Sequence, residues 1–196
     1  QIEIVAGICS ADCAMCTLNS VTRKGFLSIA NYSTILDKFI DHLDKIEYLS
    51  LFGVGEPLLD PTLVEKITIA KQKGFSNVGF ATNLTHLTAE MTESILDAGL
   101  DTIIFSIDGI KKATHEKIRR GVNYDEIIKN AMSFIGKRNT KQNKTKIIVR
   151  MIRQNANRLE WEDYKSFWEN RLSTCFGDQV SVFDVHNWGG DYDCKD

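Results

Sequence analysis

Along the chain, six short runs rich in β-branched and aromatic residues alternate with stretches of helical period. The runs, at residues 2–8, 48–53, 77–82, 102–107, 146–152 and 179–185, predict buried strands. Between them, 32–43 puts Ile35, Leu36, Phe39, Ile40 and Leu43 on one helical face. Residues 61–73 offer Leu63, Ile67 and Ala70, with Pro61 suited to a first turn and Gly74 to a C-terminal cap. A helix over 88–98 starts at Thr88 and stops before Gly99. Further helices are predicted over 124–135 and 158–171. Strands alternating with helices imply a parallel sheet with right-handed crossovers. Six β-α units are too few for a closed eight-stranded barrel of about 250 residues. The expectation is an α/β fold, a partial (β/α)6 TIM-like barrel; a doubly wound open sheet is the alternative. In either, the loops after the strand C-termini form the active face.

Composition narrows the class. The 196 residues, 43% hydrophobic and 26% charged, suit one soluble domain with a sizeable core. A net charge of −2 gives no electrostatic reason to expect nucleic acid or an anionic membrane as partner. No apolar run approaches the roughly 18–20 residues that span a bilayer. The first residues lack the basic start and apolar stretch of a signal peptide, so a cytoplasmic setting is expected. The basic stretch from Lys137 to Lys146 reads as a solvated loop. His86, His115 and His186 stand isolated, as exposed or hydrogen-bonded histidines usually do.

Three of the five cysteines crowd into Cys9-Ser-Ala-Asp-Cys13-Ala-Met-Cys16, directly after the first run. Such crowding reads as metal ligation or redox chemistry. Three thiolates from one short loop can hold three irons of a cubane and leave the fourth iron open. An open iron can chelate the amino and carboxylate groups of S-adenosylmethionine (SAM). Zinc with a distant fourth ligand, or three plain buried thiols, are the competing readings of the spacing.

This loop resembles the C-x3-C-x-Φ-C loop of the radical SAM superfamily, and the likeness extends over nearly the whole chain. Gly53-Val-Gly55-Glu56-Pro57, after the second run, is similar to the family's Gly-Gly-Glu-Pro, with Val54 at the first Gly. Thr82-Asn83-Leu84 resembles Thr-Asn-Gly, with Leu84 replacing Gly. Ser106-Ile-Asp108-Gly109 and Lys117-Ile-Arg119-Arg120-Gly121 also match, as does Arg150-Met-Ile-Arg153-Gln-Asn155. The resemblance implies a [4Fe–4S] cluster on Cys9, Cys13 and Cys16. It implies cofactor contacts from Met15, Gly55, Glu56, Asn83, Ser106, Asp108 and Arg120. Met15 is expected beside adenine, Gly55 at a close backbone approach to ligand, Glu56 on the SAM ammonium and Ser106 on SAM. Asp108 serves equally as an anchor for the following loop; one of Arg119 and Arg120, taken as Arg120, would orient a carboxylate, with a surface salt bridge as the equal alternative. Arg150 is read as pointing into the barrel. No catalytic side chain beyond the cluster and SAM is expected.

Trp188-Gly-Gly190 is similar to the turn that precedes SPASM or twitch extensions, in which further cysteines hold auxiliary iron–sulfur clusters. Cys194 would be a first such ligand, whereas Cys175 matches no motif and reads as structural. The expected domains are a radical SAM core over 1–187 and the start of such an extension over 188–196. A chain that opens on Gln1 and stops after this turn is expected to continue in the natural protein. The expected activity is reductive cleavage of SAM to a 5′-deoxyadenosyl radical that abstracts hydrogen from a peptide or a sugar-like substrate. An electron donor such as flavodoxin or ferredoxin is implied. The alternative is a non-catalytic zinc or iron–sulfur module, which leaves the Gly-Glu-Pro and Ser-Ile-Asp-Gly matches unexplained.

Overall fold

The computed structural model describes residues 1–186. The elements follow the hydrophobic pattern, with shifted ends. In chain order they are β1 (Val5–Ala6), β2 (Asp12–Cys13), β3 (Gly25–Phe26), α1 (Ile29–Asp37), β4 (Leu49–Ser50), α2 (Leu63–Gln72), β5 (Val78–Thr82), α3 (Ala89–Asp97), β6 (Thr102–Ser106), α4 (Lys112–Ile118), β7 (Arg119–Arg120), α5 (Tyr124–Thr140), β8 (Lys146–Arg153), α6 (Trp161–Glu169) and β9 (Gln179–Asp184). Thr88 caps α3 as its sequence suggests, its hydroxyl accepting from Met91 N–H at 3.1 Å; such a cap stabilises by about 1 kcal/mol.

Five strands form one parallel sheet in the order β4-β5-β6-β8-β9. This is the α/β, partial-barrel architecture expected, with five laddered strands instead of six. The chain just before β1 lies beside β4 through Ile2 N–H to the Ser50 carbonyl at 2.8 Å, and the ladder partner of β1 is β3, antiparallel. The strand period of two sorts side chains between the faces. Phe80, Ile103, Phe105, Ile147, Val149 and Met151 are buried on the helix-covered face. Each such side chain contributes about 1.5–3 kcal/mol by leaving water. The alternating residues Ile148, Arg150 and Ile152 are only partly covered and line the hollow of the barrel.

Two local expectations need correction. α1 ends at Asp37, and Phe39 and Ile40 are exposed. The chain enters a 3-10 stretch, Ile40–Lys45, in which His42 takes φ −132° and breaks the helical period. The segment from Lys137 to Lys146 is not one solvated loop: α5 continues to Thr140, and Arg138 is wholly buried against Asp178. α4 and the short β2–β7 ladder carry no pattern strong enough to announce them. No helix among the described residues is long and apolar enough to cross a membrane.

Candidate active site

The cysteine loop leaves β1 at Gly7, whose φ of +64° suits glycine. Two backbone bonds fasten the loop to the end of β4: Gly7 N–H to the Val54 carbonyl at 2.8 Å and Glu56 N–H to the Ile8 carbonyl at 2.9 Å. Gly55 is needed at this seam for a reason other than ligand approach. A Cβ there would meet the Val5 carbonyl oxygen at 2.4 Å, so the glycine lets two stretches of this chain's own backbone touch. From the other side, β2 pairs with β7 in the register Cys13↔Arg119 and Asp12↔Arg120. The loop is thus strapped between the end of β4 and the segment after α4.

Cys9, Cys13 and Cys16 line one cavity of about 220 Å³ together with Met15, Gly55, Glu56, Asn83 and Ser106. Arg119, Arg150 and His186 also border it. Met15 packs with Ala11, Cys13 and Ile118 in a small core of its own beneath the loop. Glu56, 2% exposed, accepts from Thr82 Oγ1 at 2.7 Å, Asn83 N–H at 2.9 Å and Leu58 N–H at 3.1 Å. Burial raises its pKa, and these donors oppose the rise. A carboxylate offers about four acceptor positions, so one remains for a donor in the cavity. Asn83 Nδ2 donates to Ser10 Oγ at 3.1 Å and to Cys9 Sγ at 3.5 Å. Its neighbour Leu84 adopts φ +69° with a buried side chain, holding the left-handed turn without the glycine of the family pattern.

Two of the expected contacts stand outside the cavity wall. Arg120 is exposed and pairs with Asp12 at 3.0 Å. Its neighbour Arg119 faces the cavity instead, and the two-residue period of β7 sends the pair to opposite sides. Asp108 is wholly buried behind Arg119, 2.7 Å from its Nε in an ion pair that lies off the hydrogen-bond line. Its other oxygen accepts from Ile152 N–H at 2.6 Å, tying the ends of β6 and β8 together. Sequence reasoning could not choose between the two arginines, because only the pairing of β7 with β2 fixes which one turns inward. Glu160, also unforeseen, caps the loop after β6 by accepting from Ile110 N–H at 2.9 Å and Thr114 Oγ1 at 2.6 Å.

The donor set fits an iron–sulfur cluster. All three cysteines are free thiols. Burial pushes Cys9 up to about 11, against the Ala11 N–H that donates to its sulfur, and also raises Cys13 and Cys16. Thiolates here would be stabilised by a bound cation, as iron would supply. Among the described residues, no three Cys, His, Asp or Glu side chains converge closely enough to hold a single metal ion. A zinc site draws its sulfurs to about 2.3 Å from one centre, whereas a cubane spreads three cysteines over three irons. Cys175 is exposed and stands outside the cavity lining. Trp188, Gly189, Gly190 and Cys194 lie outside the described residues.

Comparison with known proteins agrees with this arrangement. Residues 4–160 match the Radical SAM superfamily. A tungsten-containing aldehyde ferredoxin oxidoreductase cofactor-modifying protein of Pyrococcus furiosus is 28% identical over 142 residues, covering 65% of this chain and 39% of that protein. A probable GTP 3′,8-cyclase of Saccharolobus islandicus is 28% identical over 128 residues, covering 65% of this chain and 41% of that protein. The chain thus spans about two fifths of the length of these curated relatives. The crystal structure of Streptococcus suis SuiB bound to precursor peptide SuiA superposes with a TM-score of 0.74 at 18% identity, over 98% of this chain and 40% of that one; at that identity the likeness is one of fold. The family match runs from just before β1 to just past β8 and takes in the cysteine loop and the ends of β4, β5 and β6, and on that ground this chain belongs to the radical SAM superfamily.

Proposed function

We propose that this chain is the core of an enzyme that holds a [4Fe–4S] cluster on Cys9, Cys13 and Cys16 and uses it to cleave SAM. Together the cluster and SAM supply one-electron scission of the C5′–S bond, giving methionine and a 5′-deoxyadenosyl radical that takes a hydrogen atom from substrate. The observation that carries the reading is one cavity bordered at once by the three loop cysteines, Glu56, Asn83 and Ser106. In it, Glu56 offers its remaining acceptor position to an ammonium group. Met15 offers an apolar side to a base, and Ser106 a hydroxyl from the end of β6. Leu18, Phe52, Ile152 and Val185 add apolar wall that keeps water from the reacting atoms.

The substrate we propose is a peptide, in the manner of a protein that binds a precursor peptide, or a sugar-like molecule. A flavodoxin or ferredoxin is the proposed electron donor, and a reducing cytoplasmic compartment suits the free thiols. An auxiliary cluster would draw on Cys194 and further ligands from additional chain. The reading is tested by anaerobic reconstitution with iron and sulfide. A brown protein that forms 5′-deoxyadenosine from SAM under dithionite is expected, with both properties lost in Cys13→Ala. A colourless protein that takes up zinc and leaves SAM intact would overturn it.

A further inference from the structure

The sulfurs of the cysteine loop meet unlike surroundings. Cys9 Sγ receives neutral donors, Ala11 N–H at 3.4 Å and Asn83 Nδ2 at 3.5 Å. Cys13 Sγ instead receives a cation, Arg119 Nη1 at 3.6 Å. That guanidinium is 11% exposed and backed by the wholly buried Asp108. The β2–β7 ladder sets Arg119 directly opposite Cys13, and Ala14 N–H to the Ile118 carbonyl at 2.8 Å continues the strap. On the far side, Ile152 N–H and the pair with Arg119 fix Asp108. The guanidinium therefore touches both the cysteine sulfur and the buried carboxylate.

We propose that Arg119, clamped by Asp108, is a positioning residue that raises the reduction potential of the cluster through Cys13. The proposal rests on the cluster reading above. Reduction adds one electron, taken from a low-potential one-electron donor, and no bond forms or breaks. The added negative charge is stabilised by the guanidinium on the ligand sulfur, so the reduced form gains more than the oxidised one. Asp108, behind the guanidinium, opposes part of that gain. Removing each member of the pair must then move the potential in opposite directions. A merely structural role, in which either change loosens the loop, moves both the same way or neither.

The test is an EPR-monitored redox titration of the reconstituted holoprotein with dithionite, first without SAM and then with it, for the parent, Arg119→Gln, Arg119→Lys and Asp108→Asn. Iron and sulfide contents equal to the parent's establish that each variant carries the cluster, so failure of the cluster reading shows separately, as a parent without one. For Arg119→Gln the reduction equilibrium is expected to fall about tenfold, which is about 59 mV for one electron. For Asp108→Asn it is expected to rise, and Arg119→Lys should stay nearer the parent than Arg119→Gln. If Arg119→Gln does not retain cluster, the upward shift in Asp108→Asn decides alone. Unchanged potentials, shifts of one sign, or shifts that arise only once SAM is added would overturn the proposal; the last would make Arg119 a SAM contact instead.

Discussion

At the scale of single residues, buried polar groups tie the site to the surrounding chain. Asp108 shows how closely these are shared: its N–H donates to His115 Nδ1 at 3.1 Å, and its carbonyl accepts from Asn157 Nδ2 at 2.9 Å. His115 is wholly buried beside Tyr124. Burial, with the nearby Arg119 charge, pushes its pKa down to about 3 from the usual 6.5. An unfolded chain takes up a proton at His115 below pH 6.5, while the folded chain does not until near pH 3. His115 therefore supports folding fully above pH 6.5 and withdraws that support as pH falls, by about 1.4 kcal/mol per pH unit. In His115→Asn, urea unfolding at pH 7, 6, 5 and 4 should show a shallower loss of stability than in the parent. Parallel curves would contradict the assignment. The sequence marked this histidine only as isolated; nothing in its neighbours announces that Asp108 N–H needs an acceptor.

At the scale of elements, the strands were legible because β-branched and aromatic runs fall where β5, β6, β8 and β9 form. Helix starts were legible from caps such as Thr88. What escaped was pairing across sequence distance. The two-residue strands β2 and β7 have no pattern of their own and exist because Cys13 meets Arg119. Arg138 looked like part of a charged loop, because a period-based reading cannot see Asp178, forty residues on. That pair joins three elements: Asp178 also accepts from Ile147 N–H at 2.9 Å in β8 and from Ser173 N–H at 2.9 Å before β9, while Arg138 belongs to α5. Removing one partner leaves a buried charge alone, which costs about 3–5 kcal/mol. For a domain of this size that corresponds to a fall in Tm of about 6–20 °C. Asp178→Ala measured by thermal unfolding should show it, and a change under 2 °C would mean that the pair carries little of the stability joining α5, β8 and β9.

At the scale of the whole molecule, the five-stranded parallel sheet brings the ends of β4, β5 and β6 against a loop that follows β1. The sequence marked strand ends whose residues were expected at the site, and the common face of a parallel sheet accounts for their meeting in one cavity. It did not show how the cysteine loop is fixed there: the Gly55 seam to β1 and the β7 strap depend on backbone contacts that spacing does not encode. Nor did it separate Arg119 from Arg120, which differ only in the side of β7 they leave. The proposed function requires an iron of the cluster that no protein ligand occupies, in the cavity lined by Cys9, Cys13 and Cys16. The direct measurement is the EPR spectrum of the dithionite-reduced, reconstituted protein before and after SAM is added. A cluster signal whose shape and g values change on binding is the predicted result. A signal that SAM leaves untouched, at concentrations where SAM binding is measured independently, would contradict it.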